Sequence, residues 1–215
     1  MRRREFIASG STAVALMMST NIAASNPIPP VTAANLVDTN KLTPPTDGPI
    51  RVAFAMSRGA TMIDFAGPWE VFQDVMIANP KNAGDHQHPF SLYTVSDKTE
   101  PIQASGGMKI TPDYTFETAP APKVVVVPAQ TGSPALHAWL RKVVDSTDVT
   151  MSVCTGAFQL GRAGLLSGKE ATTHHDFFDD FARSFPDVKL KRGLRFVEGP
   201  RISTAGGLTS GIDLA

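Results

Sequence analysis

Thr150-Met151-Ser152-Val153-Cys154-Thr155-Gly156-Ala157-Phe158 carries an apolar strand pattern straight into a cysteine, and a glycine follows two positions later. A strand ending on a nucleophile before a Gly-containing turn and a helix is the arrangement of a nucleophile elbow. Such a turn lifts the side chain above the sheet, and the free N–H groups of the helix start beneath it favour a thiolate and can hold an oxyanion. From these features the expected thiol pKa lies below the ~8.5 of a free cysteine. The other reading is a buried cysteine acting as a small hydrophobe. Ser152 stands where a hydrolase elbow usually has glycine.

Outward from this stretch, short apolar runs alternate with helix-like segments. Strands are expected over 50–56, 90–95, 108–111, 124–127, 149–153, 194–197 and 201–204, the last two turning at Gly199-Pro200. Helices are expected from Gly67-Pro68-Trp69-Glu70 onward, over 135–144, 156–163 and 175–185, and as two turns from Thr209. The alternation argues for an α/β fold: a mostly parallel sheet with helices on both faces, in which sites gather at the carboxyl ends of strands.

The chain has 215 residues and equal totals of 20 basic and 20 acidic side chains, which gives no electrostatic reason for a nucleic-acid or anionic-membrane partner. One cysteine excludes an internal disulfide and any Cys-rich zinc site. Residues 1–25, opening Met1-Arg2-Arg3-Arg4-Glu5-Phe6-Ile7 and reaching Ala23-Ala24-Ser25, resemble a twin-arginine export signal, so the expected location is the periplasm, with no membrane attachment after cleavage. Residues 26–49 form a Pro-rich linker, and the folded domain is expected over 50–215.

Asp64, in Ile63-Asp64-Phe65-Ala66-Gly67-Pro68, lies between apolar residues after the first strand. A carboxyl group there could face the strand ends and exchange a proton with Cys154, or it could cap a helix start. Glu70 reads as a capping-box partner or a surface residue. His174, just before the 175–185 segment, could act as base or support for the thiol, or could bond to backbone at a helix start. His86 and His88 lie in a solvated loop with too few ligands for a metal site, so no metal is expected.

These stretches, together with Ser105-Gly106-Gly107, Ala163-Gly164-Leu165-Leu166, Ala171-Thr172-Thr173-His174 and Thr204-Ala205-Gly206-Gly207-Leu208-Thr209-Ser210-Gly211-Ile212-Asp213-Leu214-Ala215, resemble the ThiJ/PfpI superfamily with its class I glutamine-amidotransferase-like fold. The likeness covers residues 50–215 and is strongest to isonitrile hydratases and the sensor domains of AraC-type regulators. It implies a flavodoxin-like three-layer sandwich, a homodimer, no cofactor and a small neutral substrate. It also implies catalytic roles for Cys154, Asp64 and Thr155, with the Gln130 and Thr155 backbone N–H groups as oxyanion donors. The activity it implies is isocyanide to N-substituted formamide. A non-catalytic ligand-binding or thiol-sensing domain and a deglycase-like stress protein are the alternatives. Two departures stand out: Pro128-Ala129-Gln130-Thr131-Gly132 replaces the family's Pro-Gly-Gly, and the family's C-terminal helix continues past Leu214-Ala215, so the domain is expected to lack part of that helix.

Overall fold

A computed structural model describes residues 48–78 and 84–215. The expected export signal and nearly all of the linker lie outside the described residues. Among these residues no helix is long and apolar enough to cross a membrane.

The elements in chain order are β1 (Ile50–Ala55), α1 (Met62–Asp74), β2 (Ile77–Ala78), β3 (His86–Gln87), β4 (Phe90–Ser96), β5 (Ile102–Gln103), β6 (Lys109–Ile110), β7 (Tyr114–Thr115), β8 (Val124–Val127), α2 (Pro134–Val143), β9 (Val149–Val153), α3 (Gly156–Arg162), β10 (Glu170–Ala171), α4 (Phe178–Ser184), β11 (Lys189–Leu190), β12 (Phe196–Val197), β13 (Ile202–Ala205) and α5 (Ser210–Leu214). Seven strands make one sheet in the order β12-β13-β9-β8-β1-β4-β7. Every pairing in it is parallel except β12 with β13.

The sheet is buried on both faces, so its central strands read as continuous apolar runs rather than alternations. All four valines of β8 are buried. Val125 and Val127 face one core with Leu136, Trp139, Leu140, Leu160 and Phe181, while Val124 and Val126 face the other with Phe65, Phe72, Met151 and Val153. The period-2 alternation of a strand thus deals one strand's side chains to two helical layers. Helices α2, α3 and α4 cover the first face, and α1 and α5 cover the second. This is the expected mostly parallel three-layer sandwich. The chain runs outward from β1 to β4 and β7, then returns to β8 on the other side of β1. The carboxyl ends of β1, β8, β9 and β13 therefore border a topological switch point, where open α/β sheets place their ligands.

Two expectations change. Helix α1 begins at Met62, not Gly67, and Pro68 lies inside it. Pro68 withdraws the N–H that would bond the Asp64 carbonyl and crowds that carbonyl with its ring, but the face made by Phe65, Pro68 and Phe72 is buried. Packing of that face outweighs both. Glu70 is consequently far from the helix start; it is exposed and accepts from Gln73 Nε2 at 2.9 Å, so the capping-box reading fails. Second, the segment read as a helix over 175–185 is a 3₁₀ turn, His175–Phe177, followed by α4. The expected loop around His86 and His88 contains half of an exposed two-stranded hairpin, β2–β3.

Candidate active site

Cys154 has φ 58°, the left-handed region that a side-chain-bearing residue rarely enters. Its N–H donates to Ala205 O at 3.0 Å, and its carbonyl accepts from Thr173 Oγ1 at 3.0 Å. The turn is possible because Gly156 has no Cβ: one placed there would stand 2.1 Å from Val127 O and 2.9 Å from Pro128 O. The elbow expected from the sequence is present, and it lies against the segment leaving β8.

Asp64 is fully buried in the first turn of α1. Its Oδ2 accepts from Ala129 N–H at 3.2 Å, while Oδ1 is buried with no partner among the described residues. Burial pushes its pKa up to about 6, against the downward pull of the Ala129 and Leu208 backbone N–H groups. An acid in this state takes up and gives up a proton near neutrality.

The Cys154 thiol departs from the sequence expectation. Burial, then the Asp64 charge, pushes it up to about 11, although the Thr155 N–H and hydroxyl both hydrogen-bond the sulfur and pull the other way. The short helix start is outweighed by loss of water and by a neighbouring carboxylate. At neutral pH the resting group is a thiol, so a thiolate has to be generated within the site. The charge of an ionised Asp64 thus bears directly on the Cys154 thiol.

His174 caps the turn that follows β10: its Nδ1 accepts from Asp176 N–H at 3.3 Å, and its ring stacks on His175 at 4.3 Å. It makes no hydrogen bond to the thiol among the described residues. Between the two lies Gly207, φ 119°, where a Cβ would stand 3.1 Å from both Cys154 Sγ and His174 Cδ2. The cleft beside them, about 310 Å³, is lined by Thr173, His174, Gly207, Leu208 and their neighbours. A larger hollow of about 520 Å³ opens at the other end of the sheet, around Gly199 and Arg201. His174, His175 and Asp176 bring potential ligand atoms within 4.8 Å of one another, the one such group of three among the described residues. His174 Nδ1 is already engaged by the Asp176 backbone.

Gln130 stands in the turn after β8. Its side chain does not fill the oxyanion space: Nε2 reaches back to Ala55 O at 2.8 Å. Its N–H has no partner among the described residues. Sequence reasoning singled out Asp64, Cys154, Thr155, Gln130 and His174, and all five lie at the carboxyl ends of β1, β8, β9 and β10. It did not read roles for Gly207 or Leu208, although both stand in a motif it quoted, nor for Gln159 and His137, which belong to no motif.

The match to the DJ-1/PfpI family spans residues 50–215, including every element and site residue above. The chain belongs to the DJ-1/PfpI family. Among its relatives in this family, an isonitrile hydratase of Pseudomonas putida is 30% identical over 172 residues, 77% of this chain and 69% of its own. The HTH-type transcriptional regulator CdhR of Pseudomonas aeruginosa is 36% identical over 135 residues, 60% of this chain and 40% of the regulator, so the chain spans less than half that relative's length. Among solved structures, a THiJ/PfpI family protein from Pseudomonas syringae superposes with a TM-score of 0.65 at 27% identity, covering 82% of this chain and 69% of that one. The family thus holds both an enzyme and regulators among this chain's relatives.

Proposed function

We propose that this chain is a cysteine-dependent hydratase of small neutral isocyanides. The observation that carries the reading is the buried Asp64 carboxyl, with one oxygen unpartnered, charge-coupled to the thiol at a strained elbow. A core cysteine has no need of a neighbouring buried acid, which costs stability wherever it ionises.

Asp64 carboxylate takes the Cys154 proton, and the thiolate bonds to the terminal isocyanide carbon. Asp64 returns the proton to that carbon, giving a thioimidate. It then takes a proton from water as the water oxygen bonds to the same carbon, and passes it to nitrogen. Loss of the remaining hydroxyl proton to Asp64 and cleavage of the C–S bond release the N-substituted formamide and the thiolate, which Asp64 reprotonates. Thr155 steadies the sulfur anion through its N–H and hydroxyl. The Gln130 N–H faces the charge that develops on the water-derived oxygen. Export by the signal read over residues 1–25, with this chemistry in the periplasm, and the homodimer implied by the resemblance belong to the same proposal.

The test is conversion of cyclohexyl isocyanide to its formamide, followed by mass spectrometry. Cys154→Ser yields no product, and Asp64→Asn lowers kcat by about 10²–10⁴-fold, the usual share of proton transfer. Because the base acts ionised, kcat/KM rises with pH through about 6, where Asp64 titrates. No formamide from the wild-type protein with either alkyl or aryl isocyanides sinks the hydratase reading. A second reading, a ligand-binding or thiol-sensing domain, draws support from the regulator among the relatives. It predicts saturable isocyanide or carbonyl binding without turnover.

A further inference from the structure

Beneath the turn after β8 runs a line of polar side chains that the mechanism above does not use. His137 Nε2 meets Gln159 Oε1 at 2.9 Å, Gln159 Nε2 donates to Gln130 O at 2.9 Å, and Gln130 Nε2 donates to Ala55 O at 2.8 Å. The directions are fixed by chemistry. The Gln130 carbonyl only accepts, so the NH₂ of Gln159 faces it, its oxygen faces His137, and His137 carries its proton on Nε2. Gln159 is 1% exposed on α3, the helix that starts at the elbow. Room for it is made by Gly132, φ 76°, where a Cβ would stand 2.0 Å from Gln159 Oε1.

The peptides of this turn are pinned one after another. Thr61 N–H holds Ala129 O at 2.8 Å, Thr131 N–H donates to Arg58 O at 3.0 Å, and Gln159 holds Gln130 O. Ala129 N–H goes to Asp64. In a trans peptide the N–H of Gln130 points opposite to Ala129 O, and it is the donor this turn leaves unpaired among the described residues.

We propose that Gln159, oriented by His137, is a positioning residue: it pins the 130–131 peptide on one side of Gln130, as Thr61 pins the 129–130 peptide on the other, and so holds the turn in which the Gln130 N–H is aimed at the reacting centre. With the turn loosened, rotation of the 129–130 peptide would present the Ala129 carbonyl where an oxyanion donor is needed. The inference rests on the cysteine-catalysis reading, so its test separates nucleophilicity from charge stabilisation. Three rates are measured on the full chain: alkylation of Cys154 by iodoacetamide, acylation by p-nitrophenyl acetate, and hydration of cyclohexyl isocyanide. Alkylation builds no oxyanion, whereas the other two do.

Gln159→Leu is expected to leave alkylation unchanged. It lowers acylation and hydration by about 10²-fold, with KM held within about twofold, as for loss or misplacement of one oxyanion donor. His137→Leu gives a smaller loss of the same kind, and His137→Gln, which keeps a donor, restores the rate. If Gln159→Leu does not fold, the His137 pair decides, because His137 is only half-buried. Wild-type acylation by the leucine variants, or acylation and alkylation falling together, overturns the proposal. A wild-type protein that acylates yet ignores isocyanides removes the hydratase reading, and the acylation ratio still decides the positioning role. A wild-type protein that alkylates but never acylates overturns the positioning role itself.

Discussion

β9 and β13 lie side by side in the sheet, and each turns from its carboxyl end toward a helix through a strained non-glycine residue: Cys154 at φ 58° and Leu208 at φ 52°. The two turns use that strain differently. At the first, the side chain is the product of the geometry, because the left-handed residue is the thiol itself. At the second, the side chain is half exposed to solvent and the backbone matters instead: Gly207 leaves space beside the sulfur, and the Leu208 N–H pulls on the Asp64 carboxyl. Asp64 is thus tied to both turns. A strained turn can deliver either a reactive group or the surroundings that tune it.

Three substitutions probe that contrast, from the largest effect to the smallest. Gly156→Ala breaks the first turn at its closest approach, since the new Cβ meets main-chain oxygens rather than a movable side chain. A loss of at least about 3 kcal/mol is expected, together with faster Cys154 alkylation at moderate pH as the thiol loses its buried surroundings. A urea midpoint matching the wild-type protein would show that β8 yields easily and that the close approach is not required.

Asp64→Asn removes the group shared by the two turns. The folded pKa of Asp64 stands above its ordinary value, so this residue's contribution to stability is fully present below about pH 4 and is lost as pH rises through about 6. Moving a pKa from 3.8 to about 6 corresponds to about 3 kcal/mol. The asparagine variant is therefore expected to melt higher than wild type at about pH 8, with the difference closing by about pH 4. Equal melting temperatures at both pH values would mean that the carboxyl is solvated.

Leu208→Gly tests the second turn. The side chain is 51% exposed, and glycine keeps the N–H while relieving the positive φ. Relief of about 1–2 kcal/mol is partly cancelled by the added freedom of the unfolded chain, leaving a net gain of about 0.5–1 kcal/mol. Calorimetry should record a small rise in melting temperature with alkylation unchanged. A clear fall would assign the leucine side chain a packing role that its exposure does not suggest.

Much of this was legible in the residues. Val124–Val127 announced a strand buried on both faces, and the run into Cys154-Thr155-Gly156 announced the elbow, because both signals are local. The start of α1 was misread because proline speaks to its own turn, while Phe65 and Phe72 are buried by strands distant in sequence. The state of the thiol was misread for a related reason. A helix start is visible in sequence, but the depth to which Cys154 and Asp64 sink is set by layers assembled from the whole domain. The pairing of Gln159 with Gln130 and His137 leaves no pattern at all, since each partner lies on a different element.

The site is drawn from segments spread along nearly the whole domain: Asp64 from the first helix, Gln130 after β8, the thiol after β9, and Gly207 and Leu208 after β13. A nascent chain carries Cys154 long before it carries the last of these, and until then β9 lacks its neighbour on one side. Parallel pairings of such sequence separation form late and slowly. In partly folded chains the thiol has neither its buried acid nor its dry surroundings, so it titrates like an ordinary cysteine. Fast alkylation at moderate pH therefore marks immature chains, and its slowing reports, in time, the docking of β13.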